Sequence, residues 1–361
     1  MELTDIKFDC IHFKGAYPCK PNKTHNRVCL NCEDYQPISK RILIIKLGAI
    51  GDVIRTTPLL IRYRELYPNA HITWLTLSPA VLPKDWIDEI LTPDATAYFR
   101  LQNMAFDIAI NLDKEHEACA LLAKVEAKEK YGFIWKDNHI DVATEKATHK
   151  LMTGLDDQLS QDNERNYLDE IFEICHQEFR QEPYLLNINE ELSMKWNSLK
   201  EQAEGKKIVG LNTGCGARWQ TRLWTDENWI AFAKLLKEKG YYPVLLGGKQ
   251  EDEKNRFYSE QADVFYPGHF SLEEFIALTA NCDIIVTQVS MMMHIATGLK
   301  KKMVLFNNIF NKYEFELYGR GVIVEPQSGC DCFYGNSCSR ERRCMHDLSV
   351  EQAMTALEDL N

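Results

Sequence analysis

The chain has 361 residues, 45% of them hydrophobic, which suggests a soluble protein of two domains, each able to bury its own core. A formal net charge of −11 argues against a nucleic-acid partner, because such proteins usually present a basic face to phosphates. With no run of eighteen apolar residues and no signal-like start in MELTDIKFDC, the expectation is a cytoplasmic protein, touching the inner membrane only peripherally through a local basic patch.

The first forty residues carry Cys10, Cys19, Cys29 and Cys32, spaced C-x8-C-x9-C-x2-C among Lys, Pro, Asn and His. The segment has little core of its own, and disulfides are disfavoured in a reducing compartment. Four thiolates with a C-x2-C knuckle suit a structural zinc or an iron–sulfur cluster. Residues 1–40 are therefore read as a Cys-rich, metal-binding extension without a catalytic metal.

Next comes RILIIKLGAIGDVIRTTPLL, residues 41–60. Ile42 to Ile45 predict a strand buried on both faces, Gly48 and Gly51 permit a tight reversal, and Asp52 opens an amphipathic helix. Asp52 is placed either to cap that helix or, at the carboxyl edge of a parallel sheet, to take a proton from a bound hydroxyl. The glycines fit neither the dinucleotide fingerprint nor a P-loop.

Further strands are predicted near His71 to Leu77, Asp107 to Asn111 and Lys130 to Ile134, with helices over Asp52 to Leu66 and Glu115 to Ala127. Residues 136–163 are polar and weakly periodic, which predicts an excursion or mobile loop before a helix at Tyr167 to Phe179. A second series follows: Lys207 to Leu211, Pro243 to Leu246, Ile284 to Thr287 and Met303 to Phe306. The pattern predicts an α/β protein with an N-terminal domain over 41–186, a C-terminal domain over 187–345, a final helix over 346–361, and a cleft between the domains.

Three segments of the second half end strands with polar or glycine-rich turns. In LNTGCGARWQTRLWTDENW, Thr213, Gly214 and Arg222 are either a diphosphate site or a polar loop with a solvated arginine, and Thr225 or Asp226 caps the next helix. After Gly247 and Gly248, Glu251 is either a partner for ribose hydroxyls or a surface carboxylate. In TQVSMMMHIATGL, Ser290 and the helix start face the ligand edge, Met291 and its neighbours line a base or sugar pocket or belong to the core, and His294 is a ligand contact or a packing residue. Asn308, Glu314 and Glu316 shape a sugar pocket or a plain polar loop. Near the end, Cys330, Cys332, Cys338 and Cys344 form a second candidate metal group, or a loop of reduced thiols.

Over residues 42–356 these segments resemble glycosyltransferase family 9, whose best-known members are the ADP-heptose lipopolysaccharide heptosyltransferases. KLGAIGDVIRTTPLL is similar to the family's first motif, with Asp52 at the catalytic base. NTG…RLWTDENW resembles the donor segment, with Thr213 and Gly214 at the phosphate turn and Arg222 where many members have lysine. GGKQE places Glu251 at the ribose, and VSMMMHIATGL puts Ser290, Met291 and His294 on the Thr, Gly and His of the late motif. Val289 replaces that motif's aspartate, and the pair Cys344–Met345 is similar to some members outside the lipopolysaccharide core enzymes.

The resemblance implies a GT-B fold and an inverting transfer of a heptose or related sugar from a nucleoside-diphosphate donor, ADP-linked. The acceptor would be a hydroxyl of a cell-surface glycan, lipid-linked saccharide or protein. Asp52 would take the proton, and Arg222 with the helix start at Ser290 would stabilise the leaving diphosphate. The chain has no D-x-D sequence, and no catalytic metal is expected. The alternatives are an inactive nucleotide- or carbohydrate-binding protein with a structural metal, favoured by Val289, and an iron–sulfur redox enzyme.

Overall fold

A computed structural model describes residues 2–360. Two sheets are built from short, apolar strands of the kind that can be covered on both faces. The first contains β1 (Lys40–Ile45), β2 (Ala70–Leu75), β3 (Glu89–Leu91), β4 (Ala105–Asn111), β5 (Glu126–Lys136) and β6 (His139–Val142), in the order β3-β2-β1-β4-β5-β6. It is parallel except for β6, which folds back on β5 through Asp137 and Asn138, both at positive φ, as a two-residue hairpin requires. β1 lies at its centre, with Ile42 beside Ile72 on one side and Ile108 on the other.

The second sheet is wholly parallel: β7 (Ile208–Asn212), β8 (Tyr242–Leu246), β9 (Ile284–Gln288), β10 (Lys302–Phe306) and β11 (Gly321–Val324), ordered β11-β10-β9-β7-β8. Each sheet has a point where the chain order reverses, between β1 and β4 in the first and between β7 and β9 in the second. Ligand crevices open at the carboxyl ends of strands flanking such points. The segments singled out in the sequence, 46–52, 212–216 and 288–291, leave β1, β7 and β9 there.

Several expectations change. The helix expected over Asp52 to Leu66 is two helices, Ile50–Thr56 and Pro58–Leu66, because Pro58 lacks the amide that would continue the ladder. Residues 136–163 hold β6 and the short helices Thr148–Met152 and Asp157–Gln161 rather than a structureless loop. Strands β3, β6 and β11 were not anticipated. The last helix, Val350–Glu358, starts with a Ser349/Gln352 capping box and buries Ala353, Met354 and Leu357 in the same core as Trp229 and Phe306.

The two lobes are in direct contact. One apolar cluster joins Val53, Ile54 and Tyr167 of the first to Val289, Met292 and Ile295 of the second. Around it, Asn311 Nδ2 donates to the Ser160 and Asn163 carbonyls at 2.7 and 2.6 Å, and Tyr318 Oη donates to the Glu182 carbonyl at 2.7 Å. Lys150 also pairs with Glu314 at 3.1 Å across the lobes.

Candidate active site

The turn after β1 is held from below by one carboxylate. Asp113, just past β4, accepts from the Lys46 ammonium and the Leu47 amide, and from the Gly48 amide at 3.0 Å. Asp113 is itself fixed through its backbone, since Asn111 Oδ1 accepts its amide at 3.0 Å and Asn111 Nδ2 donates to its carbonyl at 2.9 Å. A side chain at Gly48 would collide with this arrangement, because its Cβ would stand 2.9 Å from Asp113 Oδ1.

Asp52 then lies in the first turn of the helix Ile50–Thr56, whose N-cap is Ala49, so Asp52 does not cap the helix. Its carboxylate is about one-third exposed, and Oδ1 pairs with Arg55 at 2.9 Å. Burial raises its pKa, but the combined charges of Arg55, Lys46 and Lys150 outweigh burial and hold it below the ordinary carboxylate value. The guanidinium of Arg55 lies 3.3 Å from the centroid of the Tyr167 ring, which fixes its position.

Asp52 faces a polar cavity of about 370 Å3, bounded also by Lys46, Arg55, Lys114, Lys150 and Tyr167. Lys150 is satisfied by Glu170 at 2.7 Å and by Glu314. Lys114 donates to the Lys150 carbonyl at 2.7 Å and forms no ion pair among the described residues. Burial, aided by the nearby Lys150 charge, brings its pKa down to about 8.

Across the cleft lies a second cavity of about 450 Å3. Gly214, Glu251, Ser290 and Met291 line it together with Asn212, and Ile50 enters it from the other lobe. Glu251 accepts from the Gly248 amide at 3.0 Å, and its carboxylate lies against Gly214, where a Cβ would be 2.2 Å from Oε1. Ser290 caps the helix Met291–Gly298, accepting from the Met292 amide at 3.3 Å, so the amide end of this helix opens on the cavity.

The two cavities meet at the helix Ile50–Thr56, with Ile50 in one and Asp52 in the other. Between them, Gly51 touches His294, where a methyl on Gly51 would stand 2.4 Å from His294 Cδ2.

Three expectations are corrected by side-chain placement. The Thr213 hydroxyl is fully buried and donates to Asn255 Oδ1 at 2.6 Å, so it secures the turn instead of facing the cavity. Arg222 is buried too, and donates to the Val289 and Cys215 carbonyls. It clamps the turn after β7 to the turn after β9 and does not line the second cavity. His294 is a packing residue stacked with Tyr184 at 6.1 Å, its Nδ1 buried and unpartnered among the described residues. Burial, reinforced by Arg55, lowers its pKa to about 3, so the ring is neutral.

Asn308, Glu314 and Glu316 also do other work. Asn308 donates to the Thr221 carbonyl at 3.1 Å, while Glu314 and Glu316 bond Lys150 and Asn166 of the opposite lobe.

All twelve cysteines are free thiols, and among the described residues no group of three or more His, Cys, Asp or Glu side chains is arranged to hold a metal ion. The later four lie together, the Cys332 amide donating to Cys330 Sγ at 3.4 Å. Cys330 donates to Cys344 and lowers its pKa to about 6, and Cys332 bonds Cys338.

The sequence reading missed Lys46, Arg55, Asp113, Lys114 and Lys150. The one available signal was Lys46, a lysine directly ending a buried strand in KLGAIGD.

Comparison with known proteins assigns the chain. A family model for glycosyltransferase family 9 (heptosyltransferase) matches residues 98–309. The chain belongs to glycosyltransferase family 9. This span takes in β4 to β6 of the first sheet and β7 to β10 of the second, and leaves Asp52 and the N-terminal cysteines outside. No curated protein sequence matches the chain.

Among solved structures, the family 9 glycosyltransferase of Veillonella parvula superposes with a TM-score of 0.69 at 20% identity, covering 90% of this chain and 97% of its own. The ADP-heptose lipopolysaccharide heptosyltransferase II of E. coli gives 0.65 at 16%, covering 89% and 98%. The iron-containing dodecameric glycosyltransferase TibC of enterotoxigenic E. coli gives 0.54 at 13%, covering 89% and 78%. These likenesses establish the GT-B fold of this family 9 glycosyltransferase.

Proposed function

We propose that this family 9 glycosyltransferase moves a heptose or related sugar from an ADP-linked donor onto an acceptor hydroxyl with inversion, Asp52 acting as general base. The observation that carries the reading is the placement of Ile50 and Asp52 on one helical turn between two cavities. A donor in the glycine-rich cavity would present its anomeric carbon to an acceptor in the cavity that Asp52 faces. Glu251 would meet the ribose, the amides at Gly214 and the helix start at Ser290 would meet the diphosphate, and Met291 would supply apolar contact. Structures of similar E. coli heptosyltransferases hold ADP or an ADP-heptose, which supports a donor of this class.

In this mechanism the acceptor oxygen attacks the anomeric carbon and the nucleoside diphosphate leaves from the opposite face. Asp52 accepts the hydroxyl proton as the new bond forms. The helix dipole and backbone amides offset the leaving charge, so the proposed reaction needs no divalent metal, and turnover should persist in EDTA. Val289 turns its carbonyl to Arg222 and buries its side chain, leaving no carboxylate there for a donor hydroxyl, so the sugar differs from the family's usual one at the group that aspartate would meet.

The proposed acceptor is a cell-surface glycan, lipid-linked saccharide or protein, reached from the cytoplasm or the inner-membrane surface. Among the described residues, no helix is long and apolar enough to cross a membrane. A thermal-shift screen with ADP-, GDP-, UDP- and CMP-sugars tests the donor, since ligand bound to the native state raises Tm. Stabilisation by ADP-sugars alone is expected, and a hit confined to another base would refute the ADP assignment.

Lys114 gives the acceptor side a testable feature. Its ammonium, in no ion pair among the described residues, suits an acceptor bearing a phosphate or carboxylate beside the reacting hydroxyl. Lys114→Ala should raise acceptor KM by roughly 10- to 100-fold, the worth of one charged hydrogen bond, with donor KM little changed. Because the cation is the binding form and its pKa is about 8, wild-type acceptor KM should climb as pH rises through that value. A flat profile in both proteins would remove Lys114 from acceptor binding.

A further inference from the structure

The N-terminal extension is ordered with almost nothing to hold it. Between residues 2 and 39 only Cys10 and Pro21 are buried, while Leu3, Phe8, Tyr17, Val28 and Leu30 are more than half exposed. Its regular structure is one helix, Lys20–His25, and the two short turns Leu3–Asp5 and Cys29–Asn31. A segment this size without a core needs a staple, and a bound metal group is a usual one.

The four cysteines occupy four separate pieces of this segment. Cys10 bridges Pro37 next to the start of β1, Cys19 begins the helix, and Cys29 and Cys32 bracket the last turn. All four are free thiols, and all four line a single cavity of about 230 Å3.

A single zinc and a cluster ask for different spacings of the four thiolates. Four thiolates on one zinc, at about 2.3 Å each, would be about 3.8 Å from one another and would leave no space between them. Here the four cysteines share the lining of one cavity with residues such as Phe13, Tyr17 and Pro21, and no three of them are arranged to hold a single ion. Lys7, Lys14 and Arg27 also line the cavity and would offset the negative charge of a four-thiolate cluster.

We propose that Cys10, Cys19, Cys29 and Cys32 ligate an iron–sulfur cluster that staples the pieces of the N-terminal extension to one another. The cluster lies apart from both active-site cavities, so its role is structural.

The test uses the full chain, purified without oxygen. Iron and acid-labile sulfide should be present in equal amounts, with broad visible absorbance that bleaches on reduction. Replacing Cys29→Ser and Cys32→Ser together should lower both to about a tenth or less, whereas Cys338→Ser should leave both unchanged. A metal-free chain, a single zinc per chain, or iron that survives the double replacement would overturn the proposal.

Should the double variant fail to fold, thiol alkylation of the native wild type read by mass spectrometry decides the matter. All four N-terminal cysteines should resist labelling until iron is stripped by oxidation and chelation. Immediate labelling of the four would count against the cluster.

Discussion

Asp52→Asn should lower turnover by about 100- to 10,000-fold, the usual contribution of a positioned general base, while donor affinity changes little. Asn keeps the shape of the side chain and can still accept from Arg55, so the helix Ile50–Thr56 and the donor-side contacts of Ile50 are retained. What is lost is the proton acceptor.

The pH profile provides an independent check. The neighbouring cations hold Asp52 below the ordinary 3.8, so it is ionised throughout the neutral range. No acid limb from this group should appear in kcat/KM until pH falls into that low region, below which the protonated carboxyl cannot accept. So weak a base suits the chemistry, because the hydroxyl becomes acidic only as its oxygen bonds to the anomeric carbon. Transfer measured with saturating donor, alongside donor calorimetry, separates the two effects. Near-normal turnover in Asp52→Asn would assign the proton to another group.

The parts of this site that were legible in the sequence share a property: their side chains or backbones sit where secondary structure dictates. β1 is a run of apolar residues, the glycines must turn, and Asp52 must follow, so its place at the sheet edge follows from the pattern alone. Gly214, Glu251, Ser290 and Met291 were singled out by the same pattern, in the turns that follow strands, and all of them line one cavity.

Side-chain direction was not legible. Arg222 has the position of an anion ligand, but its guanidinium is drawn inward by two carbonyls that the sequence gives no means of locating. Thr213 turns toward Asn255, 42 residues away in the chain. The cations of the cavity that Asp52 faces gave no signal, because Lys114 and Lys150 become neighbours only when the end of β4 and the helix Thr148–Met152 are brought together. Strands β3 and β6 are three and four residues long and only partly buried, too short and too polar to stand out as periodic runs.

Gly51→Ala should be severely damaging even though alanine is the better helix former by about 1 kcal/mol. Gly51 is helical and fully compatible with a side chain in its backbone conformation, so the objection is purely one of space. A methyl there would stand 2.4 Å from His294 Cδ2 and 3.1 Å from Nε2, well inside contact. The ring cannot simply rotate away, being buried and stacked on Tyr184, so relief requires the two lobes to separate locally.

Overpacking of this kind costs about 1–3 kcal/mol, and separating the lobes also draws the Asp52 turn back from the donor cavity. Turnover should therefore fall by 10-fold or more, as a misplacement near 1 Å can cost about 100-fold, and Tm should drop with it. The pair supplies its own control. Combining Gly51→Ala with His294→Ala removes the ring that the methyl strikes, so the double variant should recover stability and part of the turnover relative to Gly51→Ala alone, giving a non-additive cycle. If the two substitutions were instead additive, the Gly51–His294 contact would not be what holds the donor and acceptor cavities in register.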